Sequence, residues 1–246
     1  MNPISPFAAT RRQVLIGAGA GLVAPGIIAT PLPAAAQAPQ GAVIDITRAR
    51  TDPIPVAIPD LAGTGDAARI GRDIARVIQA NLRNCGLFRP VDRQAFIQTA
   101  ESAAQTPRFQ DWRVIGAQAL VTGRVEQRGD GLRVEFRLWD VLPETQLQGT
   151  AFTAPLANWR RIAHLISDVI YERLLGEKGY FDTRVVYVAE TGPRDRRTRR
   201  LAIMDQDGEN HRFLTDGRFA ALTPRFHPSA ERIAFMSYQD RGQPRV

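Results

Sequence analysis

The chain has 246 residues, of which 44% are hydrophobic and 23% are charged. This composition is typical of a globular protein and excludes a disordered or fibrous chain. The single cysteine, Cys85, excludes an intramolecular disulfide and is interpreted as a small buried thiol.

The formal net charge of +7 raises the question of a nucleic-acid partner. The arginines mostly alternate with acids, as in residues 69–76, and no basic surface with interleaved aromatic residues is present. The densest arginine cluster falls in a predicted hairpin loop and is interpreted as solvated charge. It comprises Arg194, Arg196, Arg197, Arg199 and Arg200. We therefore predict no nucleic-acid partner.

Residues 1–38 have the pattern of an export signal. Arg11 and Arg12 precede an apolar stretch over residues 14–29, and Ala36 and Ala38 form a small-x-small cleavage site. The paired arginines favour twin-arginine export over the general secretory route, and both routes stay open. Glycines and prolines interrupt the apolar stretch, so we predict no transmembrane segment in the mature protein.

The first part of the exported chain mixes strands with a long helix. We predict strands at residues 42–46 and 54–58, the second flanked by prolines that suit strand ends or an edge strand. Asp66 is a candidate N-cap for a helix that ends near Gly86. An apolar stripe of helical period predicts that this helix packs on a sheet. The stripe is Ile70, Ile74, Val77, Ile78 and Leu82.

The middle of this part is predicted in shorter pieces. These are a strand at residues 89–91, a helix at 93–100, a loop at 102–107 and a helical turn at 111–115 with Trp112 as its anchor.

A strong hairpin pattern follows. Strands at residues 119–127 and 132–140 alternate around a Gly-Asp-Gly turn, and a third strand is predicted at 146–152. A helix over residues 158–175 is closed by Gly176. Residues 39–178 are thus predicted to be a sandwich-like α/β domain, with two main helices on a mixed or antiparallel sheet.

The last part has a different pattern. Residues 201–238 contain two apolar runs separated by Asp-Gly turns, which predicts short antiparallel strands. Residues 183–188 match residues 231–236 in phase about fifty positions apart, the spacing of β-propeller blades. Residues 179–246 are therefore predicted to hold one blade and the beginning of the next. Such an incomplete propeller would expose strand edges and favour association.

Catalytic and metal-binding patterns are not found in the sequence. His164, His211 and His227 lie far from one another, and no G-x-S-x-G motif is present. We interpret His164 as a partly buried, hydrogen-bonded helix residue. Asp205 and Asp207 resemble the opening of a calcium loop without its later ligands, so turn closure is favoured. We predict no enzymatic activity, no cofactor and no metal.

Several segments together resemble the TolB family of periplasmic propeller proteins. In the β part these are residues 180–188, 204–210, 214–215, 224–228 and 232–235. In the α/β part they are residues 56–59, 81–88, 111–112, 115–117, 120–125 and 159–164. The resemblance thus extends over nearly the whole exported chain.

The resemblance implies an anticodon-binding-like α/β domain followed by a six-bladed propeller, of which this chain holds the front part. It also implies a monomeric periplasmic adaptor of the Tol-Pal system. Such an adaptor links the inner-membrane protein TolA to the outer-membrane lipoprotein Pal, and supports outer-membrane integrity and constriction at cell division. The surface that contacts Pal would lie mostly beyond Val246.

The TolA-binding segment of the family corresponds to residues 39–50 of this chain. Its recognisable residues are Val43, Ile44, Asp45, Ile46, Thr47 and Arg48. The residues alone slightly favour an ordinary edge strand, whereas the resemblance favours partner binding. Residues 47–50 are basic where the family is often acidic or small.

Two other classes of function were compared with this interpretation. The chain could be the amino-terminal fragment of an exported propeller-type peptidase, which would need a further domain with a Ser-Asp-His triad, or of another propeller binding protein. A basic RNA-binding module conflicts with the predicted export.

Overall fold

The computed structural model describes residues 52–240 and 242–246. In this part of the chain the α-helices are α1 (Asp66–Asn84), α2 (Ala100–Gln105), α3 (Phe109–Val114) and α4 (Trp159–Leu175). The first five strands are β1 (Ile54–Ala57), β2 (Phe88–Pro90), β3 (Ala119–Arg128), β4 (Gly131–Asp140) and β5 (Thr145–Pro155). The others are β6 (Arg184–Thr191), β7 (Thr198–Asp205), β8 (Arg212–Phe213), β9 (Ala221–Phe226), β10 (Ile233–Asp240) and β11 (Gln243–Arg245). None of the described helices has the length and apolar character needed to span a bilayer.

The first sheet is mixed, as predicted, with the strand order β2-β1-β3-β4-β5. Strand β1 pairs in parallel with both β2 and β3, whereas β3, β4 and β5 are antiparallel. Of the two predicted places for the flanking prolines, the strand ends are observed, since Pro53 and Pro59 lie just outside β1. The edge alternative was wrong, because β1 is an inner strand. Pro55 donates no backbone hydrogen bond in this inner position, but its carbonyl accepts one, 2.9 Å long, from the backbone N–H of Gln118.

The two long helices cover one face of this sheet. The predicted apolar stripe of α1 is buried in full, and Ile162, Ile166 and Ile170 of α4 join it in one core. Alternate residues of β1, Ile54 and Val56, point into the same core. The fold class predicted for this part is confirmed.

The start of α1 differs from the prediction. Gly65, with φ of 56°, precedes the helix, and Asp66 is the first helical residue rather than a side-chain cap. A glycine is needed here because the chain turns through the left-handed region before entering the helix. The carboxylate of Asp66 stays in the first turn, where the helix dipole favours negative charge.

The opposite face of the sheet is covered by the short helices around Trp112, which is fully buried. The predicted helix at 93–100 and loop at 102–107 were wrong, because a 3-10 turn at Arg93–Ala95 precedes α2. The hydroxyl of Thr99 caps α2 by accepting from the N–H of Ser102. Gln98 then accepts a hydrogen bond from the indole of Trp112, which fixes this segment to α3.

The remaining strands form two antiparallel three-stranded sheets, β6-β7-β8 and β11-β10-β9. The predicted Asp-Gly turn lies between β7 and β8, with Gly208 at φ of 89°. The strands predicted between residues 201 and 238 therefore divide between the two sheets. Strand β9 also contacts β6 and β7, so the two sheets pack against each other.

Candidate functional site

The residues assigned from the sequence lie outside the described residues. These are Val43, Ile44, Asp45, Ile46, Thr47 and Arg48 of the partner-binding segment, and Ala36 and Ala38 of the cleavage site. Their assignment stays a prediction.

Several buried polar side chains of the described chain meet where α1 and α4 contact the turn after β7. We call this region the junction network and define it as Asn81 of α1, His164 and Ser167 of α4, and Gln206 and Asp207 of the turn. Three of its members, Asn81, His164 and Ser167, are at most 2% exposed. Buried polar groups of this kind need partners, so the network fixes the turn against the helices.

The hydrogen bonds of Asn81 decide the tautomer of the histidine. Its Oδ1 accepts from Nε2 of Gln206 at 2.9 Å, so its amide nitrogen faces α4. That nitrogen donates to Nδ1 of His164 at 3.0 Å and to the hydroxyl of Ser167 at 2.9 Å. A neutral imidazole that accepts at Nδ1 carries its proton on Nε2. This Nε2 lies 3.4 Å from Oδ2 of Asp207.

Electrostatics favour the neutral ring. Burial lowers the pKa of His164, since the charged form is poorly solvated there. The carboxylates of Asp207 and Asp205 oppose this effect, and the guanidinium of Arg160 adds to it. The balance of these effects favours the uncharged imidazole over the charged one.

Asp207 is held from two sides. Its Oδ2 accepts from Nε of Arg160 on α4 at 2.9 Å, and its Oδ1 accepts from the backbone N–H of Glu209 at 3.2 Å. The side chains of Arg160 and Asp207 are 22% and 12% exposed, so solvent screens this ion pair less than a surface pair. The turn after β7 is thus anchored to α4 by charge as well as by hydrogen bonds.

The chain that leaves α4 is fixed by Asp168. Its carboxylate accepts from the backbone N–H groups of Phe181 at 2.6 Å and Asp182 at 3.1 Å. Burial raises the pKa of Asp168, and these two N–H groups act against that rise. A side chain at Gly179 would overlap Asp168, so only glycine fits this close approach.

A cavity of about 440 Å³ opens beside the junction network. Side chains from both α4 and the β7–β8 region line it, among them Arg160, His164, Asp205 and Asn210. The nitrogen and carboxylate groups that face one another here are able to bind a cation. Sequence reasoning missed this arrangement, because His164 lies on a helix far along the chain from Asp205 and Asp207.

The other two histidines do not join this group. His211 stacks edge-on against Phe213 with ring centroids 4.8 Å apart, and Nδ1 of His227 accepts from the N–H of Ser229. The acids of the Asp-x-Asp-Gly motif close a turn as predicted, since Oδ2 of Asp205 accepts from Asn210 at 2.5 Å.

Two family models match the chain. The model of the TolB amino-terminal domain matches residues 42–147, and the model of the TolB beta propeller domain matches residues 171–246. The curated Tol-Pal system protein TolB of Paramagnetospirillum magneticum (strain ATCC 700264 / AMB-1) is 55% identical over 205 residues. That match covers 82% of this chain and 46% of the relative.

Solved structures include a similar protein. The crystal structure of TolB from Acinetobacter baumannii superposes with a TM-score of 0.65 at 27% sequence identity, and the match covers 78% of this chain and 46% of that one. The chain thus spans about half the length of these two relatives. The two family models follow one another along the chain in the same order as the α/β part and the antiparallel strands of the structure. The chain belongs to the TolB family of the Tol-Pal system.

Proposed function

We propose that this chain acts as a non-catalytic adaptor of the Tol-Pal system in the periplasm, where it links inner-membrane TolA to the outer-membrane lipoprotein Pal. The observation that carries the proposal is the 55% identity to a curated Tol-Pal system protein. The adaptor would support outer-membrane integrity and constriction at cell division.

The proposed organisation has three parts. Residues 1–38 direct export and are removed, residues 39–178 form the α/β domain, and residues 179–246 begin the propeller. TolA binds the mature amino-terminal segment, whereas Pal binds the propeller surface. The protein acts as a monomer between the two partners.

The TolA contact is assigned to residues 43–48. This short alternating stretch is suited to adding as a strand to the edge of a sheet. Within the described part of the chain, β2 and β5 are the outer strands of the first sheet. A segment that pairs either with such an edge or with a partner's sheet would exist in two states, and partner binding would shift the balance between them.

The junction network supports an adaptor role for the two parts together. It places polar contacts from α1 and α4 on a turn of the propeller strands. A displacement of the propeller strands would therefore act on packed, hydrogen-bonded side chains of the α/β part, and a displacement of the α/β part would act on the turn.

Calorimetric titration with the carboxy-terminal domain of TolA tests the proposal. We expect saturable binding by the mature chain, and loss of binding when Val43, Ile44 and Ile46 are replaced together by Ser. A matched control replaces three exposed apolar residues of the α/β part, Ile97, Val114 and Leu142, by Ser and keeps binding. Unchanged affinity of the triple variant would contradict the assigned segment, and absence of binding by the folded parent chain would contradict the adaptor function.

A further inference from the structure

The side chain of His164 leaves one of its two ring nitrogens without a hydrogen bond. Atom Nε2 is buried and has no hydrogen-bond partner among the described residues, although the side chain is only 2% exposed. It points at the turn after β7, with Oδ2 of Asp207 at 3.4 Å. A buried polar atom without a partner is costly, so its environment requires an explanation.

A third ligand atom lies close by. One oxygen of Asp205, one oxygen of Asp207 and one nitrogen of His164 all lie within 4.8 Å of one another. Two ligands that bind a tetrahedral Zn²⁺ at about 2.0–2.1 Å are themselves about 3.3 Å apart. The 3.4 Å between His164 and Asp207 is long for a hydrogen bond, and it matches the spacing of two such ligands.

From this geometry we propose that His164, Asp205 and Asp207 form a binding site for a divalent transition-metal cation of the Zn²⁺ class. One imidazole and two carboxylates make a ligand set that suits Zn²⁺. Ca²⁺ and Mg²⁺ prefer sites made of oxygen atoms alone. The adjoining cavity supplies water to the fourth position.

The proton of the imidazole must move when the cation binds. Nε2 coordinates through its lone pair, so the proton is carried on Nδ1 instead. Rotation of the Asn81 amide by half a turn then presents Oδ1 as the acceptor for this proton, and the Gln206 amide rotates with it. The hydroxyl of Ser167, which donates to the carbonyl of Ala163, turns to donate to Oδ1 of Asn81 instead. Amide nitrogen and oxygen exchange places without moving the backbone. The neutral ring therefore releases no net proton.

Charges of both signs surround the site, since the adjoining cavity is also lined by Asp182, Arg161, Arg184 and Arg212. The negative charge is concentrated at the ligand atoms themselves. Asp205 and Asp207 contribute two negative charges, and Arg160, which is ion-paired with Asp207, offsets one of them. Arg160 bonds Oδ2 of Asp207 from α4 and so holds the carboxylate in place, as groups outside the ligand set commonly do at metal sites. The bound ion would join α4 directly to the turn after β7.

Calorimetric titration of Zn²⁺ into the untagged full chain, stripped of metal with a chelator, tests the site. We expect one ion per chain, and affinities at least about tenfold weaker for Asp205→Asn and Asp207→Asn. Asp216→Asn is the matched control, because Asp216 also precedes a glycine in a turn and is not part of the cluster. Its affinity should equal that of the parent chain, and Ca²⁺ at the same concentration should not compete.

Absence of saturable binding, or parental affinity in both Asp205→Asn and Asp207→Asn, would overturn the proposal. Loss of binding in His227→Ala, with the two aspartate variants unaffected, would overturn it as well. Co²⁺ absorption spectra of the parent chain give a measurement that needs no variant. Tetrahedral bands would support the site, and an octahedral spectrum would contradict it.

Discussion

Asn81 is the residue on which the junction network depends most. Its amide donates to His164 and Ser167 and accepts from Gln206, all within a buried region. An apolar side chain of similar volume at this position would remove the hydrogen bond that each of the three partners makes with Asn81, although Ser167 keeps its bond to the carbonyl of Ala163. The free-energy cost of leaving such buried polar groups unpaired exceeds the stabilisation that the added apolar contact contributes.

We therefore expect Asn81→Leu to lower the free energy of unfolding by about 2 to 3 kcal/mol. Ser167→Ala, which removes a single member of the network, should cost about 1 kcal/mol. Urea unfolding followed by far-UV circular dichroism measures both. Equal stability of Asn81→Leu and the parent chain would show that the network does not stabilise the fold.

The lowered pKa of His164 gives a pH dependence with a definite sign. At any pH between the lowered pKa of His164 in the folded chain and its pKa of about 6.5 in the unfolded chain, the unfolded chain binds more protons than the folded chain. Stability must then fall as the pH decreases through this window. With a chelator present, we expect the parent chain to lose more stability than His164→Gln between pH about 7.5 and about 5.5. Parallel losses would contradict a lowered pKa.

At this scale the sequence predicts the environment of His164 better than its partners. Its place on the last predicted helix favours a partly buried, hydrogen-bonded side chain, and the structure has the hydrogen bond with more complete burial. The proximity of Asp205 and Asp207 is decided by how the turn after β7 packs on α4. No local pattern encodes that contact, because it depends on tertiary structure.

Among the elements, α1 contains the closest backbone approach. A side chain at Gly71 would overlap the backbone carbonyl oxygen of Leu61, so the helix lies directly on the segment after β1. Helix propensity alone favours Ala over Gly by up to about 1 kcal/mol. Overlap with backbone atoms cannot be relieved by a rotamer change, and it outweighs this gain.

Gly71→Ala should consequently lower the free energy of unfolding by about 2 kcal/mol. Gly176→Ala is the control, since Gly176 closes α4 at φ of 78° with open space around it. It should cost about 1 kcal/mol from backbone strain alone. Thermal and urea unfolding compare the two variants. A Gly71→Ala variant that is more stable than the parent would contradict the close packing of α1.

Long periodic elements were predicted well, and short ones were not. The stripe of α1 and the hairpin of β3 and β4 follow from side-chain periodicity, which burial enforces along the whole element. Residues 93–107 have no such period. Their structure depends on Gln98 and Thr99 bonding to Trp112 and Ser102, contacts that propensity does not encode.

At the scale of the molecule, the anchored turn predicts that the two parts unfold together. The three tryptophans, Trp112, Trp139 and Trp159, all lie in the α/β part, so fluorescence reports that part alone. Circular dichroism reports both. We expect coincident transitions in the parent chain and separate transitions in an Arg160→Ala, Gln206→Ala double variant. Coincident transitions in this variant would show that the junction contacts are not what couples the parts.

The family and the fold follow from the residues of the α/β part and the Asp-Gly turns, whereas the partner contact is assigned to residues 43–48. Competition with a synthetic peptide of residues 39–50 tests that assignment most directly. The peptide should displace the mature chain from the carboxy-terminal domain of TolA, and a scrambled peptide of the same composition should not. Failure of the peptide to compete, with the chain still bound, would contradict the central claim that this segment carries TolA recognition.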